Sequence, residues 1–308
     1  MPITLLVTAD PASSYLKPLE RLPGDTNVIV SNDRDRVFKV APEADVLLNG
    51  DYRDPSLFLE TFPRAVKIRW AHVLSAGVDA VLSPEIRESR VPVTNGRGVF
   101  ARPLSEWTIG AMLHFAYQFR RILKNQQAQR WERYEHDQLH GRTLAIVGYG
   151  SIGRAIGERA SAFGMHILTA GRTAPRDLNA MLAACDYLAL AAPLTPQTRG
   201  MIGAAQLALM KSTAVIVNVG RGAVVDEPGL IEALETGKIR GAALDVFTNE
   251  PLPAGHPFYR LENVLLSPHT ADNVPYSREN AVEFFVENFE RFRKGEPLQN
   301  VVDKHAGY

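Results

Sequence analysis

The sequence predicts an α/β protein of two domains, each built on its own parallel sheet, with a cleft between them. Two observations carry the prediction. Short apolar runs of strand length alternate with amphipathic stretches along most of the chain. That alternation starts twice, at Ile3 and again near Thr143, with a long helical and polar stretch in between. At 308 residues the chain has room for about two full cores.

In the first series, Ile3–Val7, Val28–Val30, Val46–Leu48 and Val66–Trp70 read as strands, with helical segments such as Ala12–Arg21 between them. Pro103–Leu123 has the pattern of one long helix, and Lys124–His140 is polar. The second series supplies strands at Leu144–Val147, His166–Thr169, Tyr187–Ala191, Ala214–Val219, Gly241–Leu244 and Val264–Leu266. The chain closes with a helix over Ser277–Lys294. There Val282, Phe285, Val286, Phe289 and Phe292 recur at helical spacing, and Gly295 stands as a stop. Because that helix follows a completed second sheet, it is expected to return to the first domain. The predicted division is residues 1–98 with 275–308 for one domain and 99–274 for the other.

Composition narrows the function. Apolar content of 45% and charged content of 22% are those of a soluble globular chain. Lys plus Arg and Asp plus Glu each number 34, so no global field favours nucleic acid or an anionic membrane. An anionic ligand must therefore be held by local arginines or backbone N–H groups. Cys185 is the only cysteine, which excludes a disulfide framework and a thiolate cluster, and no residue cluster suggests a metal. The first residues already form an apolar strand, and no apolar run has transmembrane length, so a cytoplasmic protein is expected.

The strand Leu144–Val147 runs directly into Gly148-Tyr149-Gly150-Ser151-Ile152-Gly153, and a helical stretch follows through Phe163. Gly148 allows the tight turn, Gly150 lets backbone approach a pyrophosphate, and Gly153 lets helix and strand pack closely. A diphosphate is then held by free N–H groups at the positive end of the helix, where Ser151 and Ile152 stand. This is the fingerprint of a Rossmann-like dinucleotide-binding domain. It normally continues with a carboxylate about twenty residues on, which binds the ribose 2′-hydroxyl. Here Gly171-Arg172-Thr173 occupies that place. Glycine leaves room for a 2′-phosphate and a guanidinium pairs with it, so Arg172, with Thr173 and Arg176, points to NADP(H), with NAD(H) as the alternative.

Four further residues stand just past predicted strands, where open α/β sheets gather their ligands. Arg221 lies between glycines after Ala214–Val219 and can aim its fork at a carboxylate or carbonyl oxygen. Asp245 and Glu250 follow Gly241–Leu244, and His269 follows Val264–Leu266. A carboxylate beside an imidazole raises its pKa and orients it, which makes a proton donor and acceptor near neutral pH.

These residues and their spacing resemble the D-isomer-specific 2-hydroxyacid dehydrogenase family, which includes glyoxylate and hydroxypyruvate reductases. The matching motifs are the Gly148–Gly153 turn, Ala192 to Gly200 (APLTPQTRG), Asn218-Val219-Gly220-Arg221-Gly222, Leu244-Asp245-Val246-Phe247 with Glu250-Pro251, and Pro268-His269-Thr270-Ala271. Ser75-Ala76-Gly77-Val78-Asp79 matches the family's substrate loop. The resemblance covers nearly the whole chain and implies two Rossmann-like or flavodoxin-like domains, one binding substrate and one the dinucleotide. It implies that His269 protonates the carbonyl oxygen of a 2-keto acid, that Glu250 keeps His269 charged, and that Arg221 binds the substrate carboxylate and polarises its carbonyl. Backbone N–H groups near Ala76, Gly77 and Val78 would hold the other side of that carboxylate. Asp245 would bind the nicotinamide carboxamide, Pro193 and Thr198 would line the cofactor groove, and Val219 and Ala271 would lie beside the nicotinamide. A homodimer is implied, with the helix from Pro103 and the polar segment after it at the interface.

Two features stand apart. Ser105-Glu106 replaces the family's frequent Ala-Glu, and Arg97 and Arg102 stand near the expected hinge, on the loop from Asn95 to Pro103, either to contact a substrate or a cofactor phosphate or as a solvated hinge. Two other functions fit the same fold, a phosphite dehydrogenase and a dinucleotide-sensing binding protein. A formate dehydrogenase is disfavoured, because formate oxidation needs no proton relay and such relatives carry glutamine where Glu250 stands.

Overall fold

The computed structural model describes residues 2–51, 54–171 and 177–308. Two compact units are present, one running to Phe100 and resuming at Asn273, the other spanning Ala101–Asp272. Each contains one wholly parallel sheet, which gives the α/β class.

In the first unit the strands are β1 (Ile3–Thr8), β2 (Thr26–Ser31), β3 (Val46–Asn49), β4 (Trp70–Val73) and β5 (Val93–Asn95). Their order is β2-β1-β3-β4-β5. The helix Ser277–Lys294 buries Ala281, Val282, Phe285 and Phe289, and Trp70 of β4 stacks on Phe285 with ring centroids 5.0 Å apart. Each large apolar side chain buried this way stabilises the unit by roughly 1.5–3 kcal/mol. Gly295, at φ +68°, ends the helix by turning its N–H back to the last carbonyls, a conformation glycine adopts without steric cost.

Two expectations need correction here, and one strand was not expected. The strand expected at Val66–Trp70 begins at Trp70 instead, because Ile68 N–H closes a turn onto Ala65 O and leaves Val66 78% exposed. The segment 12–21 is helical only from Ser14, and as a 3-10 helix that includes Pro18, whose missing N–H disfavours an α-helix. The three-residue strand β5 is too short to read from a pattern.

In the second unit the strands are β6 (Thr143–Val147), β7 (His166–Ala170), β8 (Tyr187–Leu190), β9 (Val215–Asn218), β10 (Gly241–Leu244) and β11 (Val264–Leu266). Their order is β11-β10-β9-β8-β6-β7. The chain steps one way from β6 to β7 and the other way from β8 onward. A crevice for ligands therefore opens at the carboxyl end of β6. The single helix expected over Pro103–Leu123 is two helices, Ala101–Ala116 and Phe119–Gln127. Gln118 breaks it by taking a left-handed conformation at φ +52°, with neither glycine nor proline to signal the break. Among the described residues, no helix is long and apolar enough to cross a membrane.

Candidate active site

The turn after β6 has the shape a diphosphate requires. Gly148 sits at φ +94°, and a Cβ there would lie 2.4 Å from Ala192 N. Its N–H bonds Ala170 O at 2.9 Å, which ties the turn to the end of β7. A Cβ on Gly153 would lie 2.2 Å from Gly148 O, so helix and turn pack backbone to backbone. Gly150 caps the helix Ser151–Ala162 without a side-chain bond, and a Cβ there would meet nothing within 4 Å. Space thus lies open over the first turn, where Ser151 and Ile152 carry N–H groups that lack intrahelical partners. These residues fit an anionic dinucleotide bridge.

Beside it, Thr198 Oγ1 donates to Pro193 O at 2.6 Å and accepts Thr195 N–H at 2.8 Å. This hydroxyl shapes the loop after β8. Val219 is buried past β9, with its N–H on Leu190 O at 3.1 Å. Gly171 ends β7 against Tyr149, so that a Cβ would lie 3.3 Å from Tyr149 N. Arg172, Thr173 and Arg176 lie outside the described residues.

The neighbouring strands β9, β10 and β11 bring Arg221, Glu250 and His269 together. Asn218, buried at the end of β9, accepts Gly220 N–H at 3.1 Å and donates to Arg221 O at 3.0 Å. Arg221 is thereby fixed as the residue that opens the next turn. Gly222 follows, and a Cβ there would stand 2.0 Å from Phe247 C, so only glycine lets this loop lie on the one bearing Glu250. Glu250 Oε1 accepts Phe247 N–H at 2.9 Å, while Oε2 lies 2.6 Å from His269 Nδ1.

Asp245 is a buried frame for the histidine loop. Its Oδ1 accepts Ser267 Oγ–H at 2.6 Å, Thr270 N–H at 2.9 Å and Ala271 N–H at 3.1 Å. Its backbone carbonyl accepts His269 N–H at 2.9 Å. Four bonds thus hold His269 at φ +52°, a conformation a non-glycine residue rarely adopts unaided.

The hydrogen bond that His269 donates to Glu250 raises the His269 pKa; burial and the Arg221 charge oppose it, and the charges of Glu250 and Asp245 add to it. Burial works against the Glu250 carboxylate, but bonds from His269 and Phe247 N–H, with the charges of His269 and Arg221, outweigh it and hold its pKa low. The pair therefore favours imidazolium beside carboxylate, with Nδ1 engaged by Glu250 and the second ring proton on Nε2. That is the state of a general acid.

In the first unit, the loop after β4 has its carbonyls taken up one by one. Gly96 N–H bonds Ser75 O at 2.9 Å, Asn95 Nδ2 bonds Ala76 O at 2.7 Å, and Ser75 Oγ bonds Gly77 O at 2.7 Å. In a trans peptide the N–H points opposite to the carbonyl. The N–H groups of Ala76, Gly77 and Val78 therefore face away from those donors. Arg97 reaches Asn300 Oδ1 at 3.3 Å, and Arg102 pairs with Glu106 at 3.1 Å.

Comparison with known proteins decides the family. Residues 109–271 match the model of the D-isomer specific 2-hydroxyacid dehydrogenase, NAD binding domain. The chain belongs to the D-isomer-specific 2-hydroxyacid dehydrogenase family. It is 31% identical to the D-3-phosphoglycerate dehydrogenase of Methanocaldococcus jannaschii over 98% of its own length, but spans only 59% of that relative. It is 35% identical to a glyoxylate reductase of Korarchaeum cryptofilum over 80% of each chain. The solved NADPH-dependent glyoxylate/hydroxypyruvate reductase of Sinorhizobium meliloti, in complex with NADP and sulfate, superposes with a TM-score of 0.87. That match has 26% identity and covers 99% of this chain and 100% of the other.

In this 2-hydroxyacid dehydrogenase, Asn95, Gly96 and Ser267 have structural tasks that no motif marks, and Asn218 and Gly222 stand inside a motif that does not give away their own roles. Each shapes a loop through backbone contacts, and single glycines and amides in a sequence carry no mark of that task.

Proposed function

We propose that this chain is an NADPH-preferring reductase of small 2-keto acids, with glyoxylate and hydroxypyruvate as the leading substrates. The observation that carries the proposal is the 2.6 Å contact between His269 and Glu250 in the unit that bears Arg221 and the Gly148–Gly153 turn. The unit Ala101–Asp272 binds the dinucleotide, and the unit with Ala76–Val78 binds substrate. When bound, the cofactor supplies the hydride. Arg221 holds the substrate carboxylate and polarises the carbonyl, and the N–H groups of Ala76, Gly77 and Val78 are the substrate-binding groups of the other unit. His269 Nε2 delivers a proton to the carbonyl oxygen, and Glu250 stabilises the imidazolium until it does. Val219 and Ala271 flank the nicotinamide. Asp245 keeps one carboxylate oxygen on the histidine loop and turns the other to the carboxamide.

Preference for NADPH rests on the missing carboxylate after β7 and on Gly171 and Arg172; the NADP complex of the Sinorhizobium meliloti reductase agrees with it. A homodimer joined through the helical stretch from Pro103 and the polar segment after it is part of the proposal. Tyr117, Phe119, Ile122, Leu123 and Trp131 are exposed there, Trp131 by 90%. Sedimentation as a monomer would overturn the dimer. The deciding assay follows nicotinamide absorbance with NADPH and NADH against glyoxylate, hydroxypyruvate, pyruvate and bulkier 2-keto acids. Oxidation of NADPH by glyoxylate or hydroxypyruvate is expected. Tight dinucleotide binding with no turnover across the panel would sink the reductase reading and favour phosphite chemistry or a sensing role.

A further inference from the structure

The second unit holds another carboxylate–imidazole pair, outside the chemistry described above. Glu227 Oε1 lies 3.2 Å from His256 Nε2, and Glu227 Oε2 accepts Thr248 N–H at 3.3 Å. His256 Nδ1 accepts Phe258 N–H at 3.4 Å, which puts the ring proton on Nε2, aimed at Glu227. The side chains are largely enclosed, His256 at 14% and Glu227 at 19% exposure.

Their position in the chain gives the pair its meaning. Glu227 opens the helix Glu227–Glu235, and Asp226 caps that helix on Gly229 N–H. The stretch from Arg221 to Glu227 therefore grips the Phe247–Thr248 peptide twice. Gly222 packs against it at the distance where a Cβ would clash, and Glu227 accepts its N–H. The preceding peptide supplies the Phe247 N–H that holds Glu250.

We propose that Glu227 and His256 are positioning residues that seat Glu250 against His269 and keep that pair in register with Arg221. The proposal rests on the reductase reading only for its kinetic consequences. Both groups facing Glu227, Thr248 N–H and His256 Nε2–H, are donors, so an ionised carboxylate satisfies both and an amide cannot. His256 supplies the second anchor that stops the carboxylate from swinging away from Thr248.

The groups acting on His269 are Glu250, Arg221 and Asp245. Replacing His256 by Ala leaves all three charges and Glu227 in place, so any change at His269 reports geometry. The experiment is an NMR titration of isotopically labelled histidine in the full chain without substrate. In His256→Ala the His269 pKa should fall toward 6.5, and in His256→Gln, whose amide still donates to Glu227, it should return most of the way. In turnover assays, kcat of His256→Ala should drop about tenfold while NADPH affinity stays within about twofold, a split that a general loss of folding does not produce. A His269 titration identical in His256→Ala and wild type overturns the proposal, as does a Gln variant no better than Ala. If His256→Ala does not fold, Glu227→Gln is read the same way: a lowered His269 pKa supports the proposal and an unmoved one overturns it. A wild-type protein that reduces no keto acid would end the reductase reading, and the titration would still decide this one.

Discussion

His72 lies in one of the two parallel sheets and His269 just past a strand of the other, and their surroundings drive the two imidazoles in opposite directions. His72 lies on β4, fully buried, with Phe284 and Phe285 packed on it. Its Nδ1 is 2.6 Å from Thr94 Oγ1, which also accepts Trp70 Nε1–H at 2.8 Å. Its Nε2 has no partner among the described residues, and burial pushes its pKa down to about 3. His269 stands just past β11 with its side chain 44% exposed, and the Glu250 carboxylate raises its pKa. Enclosure alone makes a neutral core histidine. A carboxylate in contact with one ring nitrogen, and a proton on the other, makes a proton carrier.

The largest effect is expected from removing that carrier. His269→Ala should lower turnover about a hundredfold or more, the usual size of a general-acid contribution. The check is kcat with NADPH and the best keto acid of the panel; turnover equal to wild type would remove His269 from the mechanism. Glu250→Gln sharpens the contrast by leaving the imidazole and taking away the charge. In the proposed mechanism reduction needs protonated His269, and Glu250 keeps it protonated to higher pH. In Glu250→Gln the alkaline limb of kcat/KM should therefore move down toward 6.5, costing roughly tenfold on the alkaline side and little in acid. Oxidation of the hydroxy acid, which needs neutral His269, should shift its rise toward acid. Unmoved limbs would show that Glu250 does not set the proton affinity of His269.

The two histidines also show how far the sequence could be read. His269 was legible because it stands past a strand end with Arg221, Asp245 and Glu250 in fixed order. Strand ends in an α/β sheet are where exposed polar side chains have a reason to sit. The final helix was legible to the residue, since its apolar repeat and Gly295 both speak of local physics. β4 was misplaced because Trp70-Ala71-His72-Val73 contains a histidine and an alanine, and only the phenylalanines of the distant helix make that stretch a buried strand. The break at Gln118 left no mark, as no turn residue stands there. Nor did motif reading show that Asp245 spends one oxygen on Ser267, Thr270 and Ala271, because these bonds exist only once β10 and β11 are side by side.

The last expected effect lies with the buried histidine, and it appears in stability instead of rate. Below 6.5 the unfolded chain binds a proton on His72, while the folded chain refuses it down to about 3. The unfolded state thus holds more protons across that window, and stability must fall as pH falls through it, by up to about 1.4 kcal/mol per pH unit from this residue. His72→Phe keeps an aromatic ring against Phe284 and Phe285 and removes the titrating group. Urea unfolding of both proteins in steps below 6.5 should give a flatter decline for the variant, most cleanly above the carboxylate range, where Glu250 and its like still hold their charge. Parallel declines would mean that His72 takes up its proton in the folded state, and that β4 opens to admit water. Burial alone would then no longer explain the difference between the two histidines.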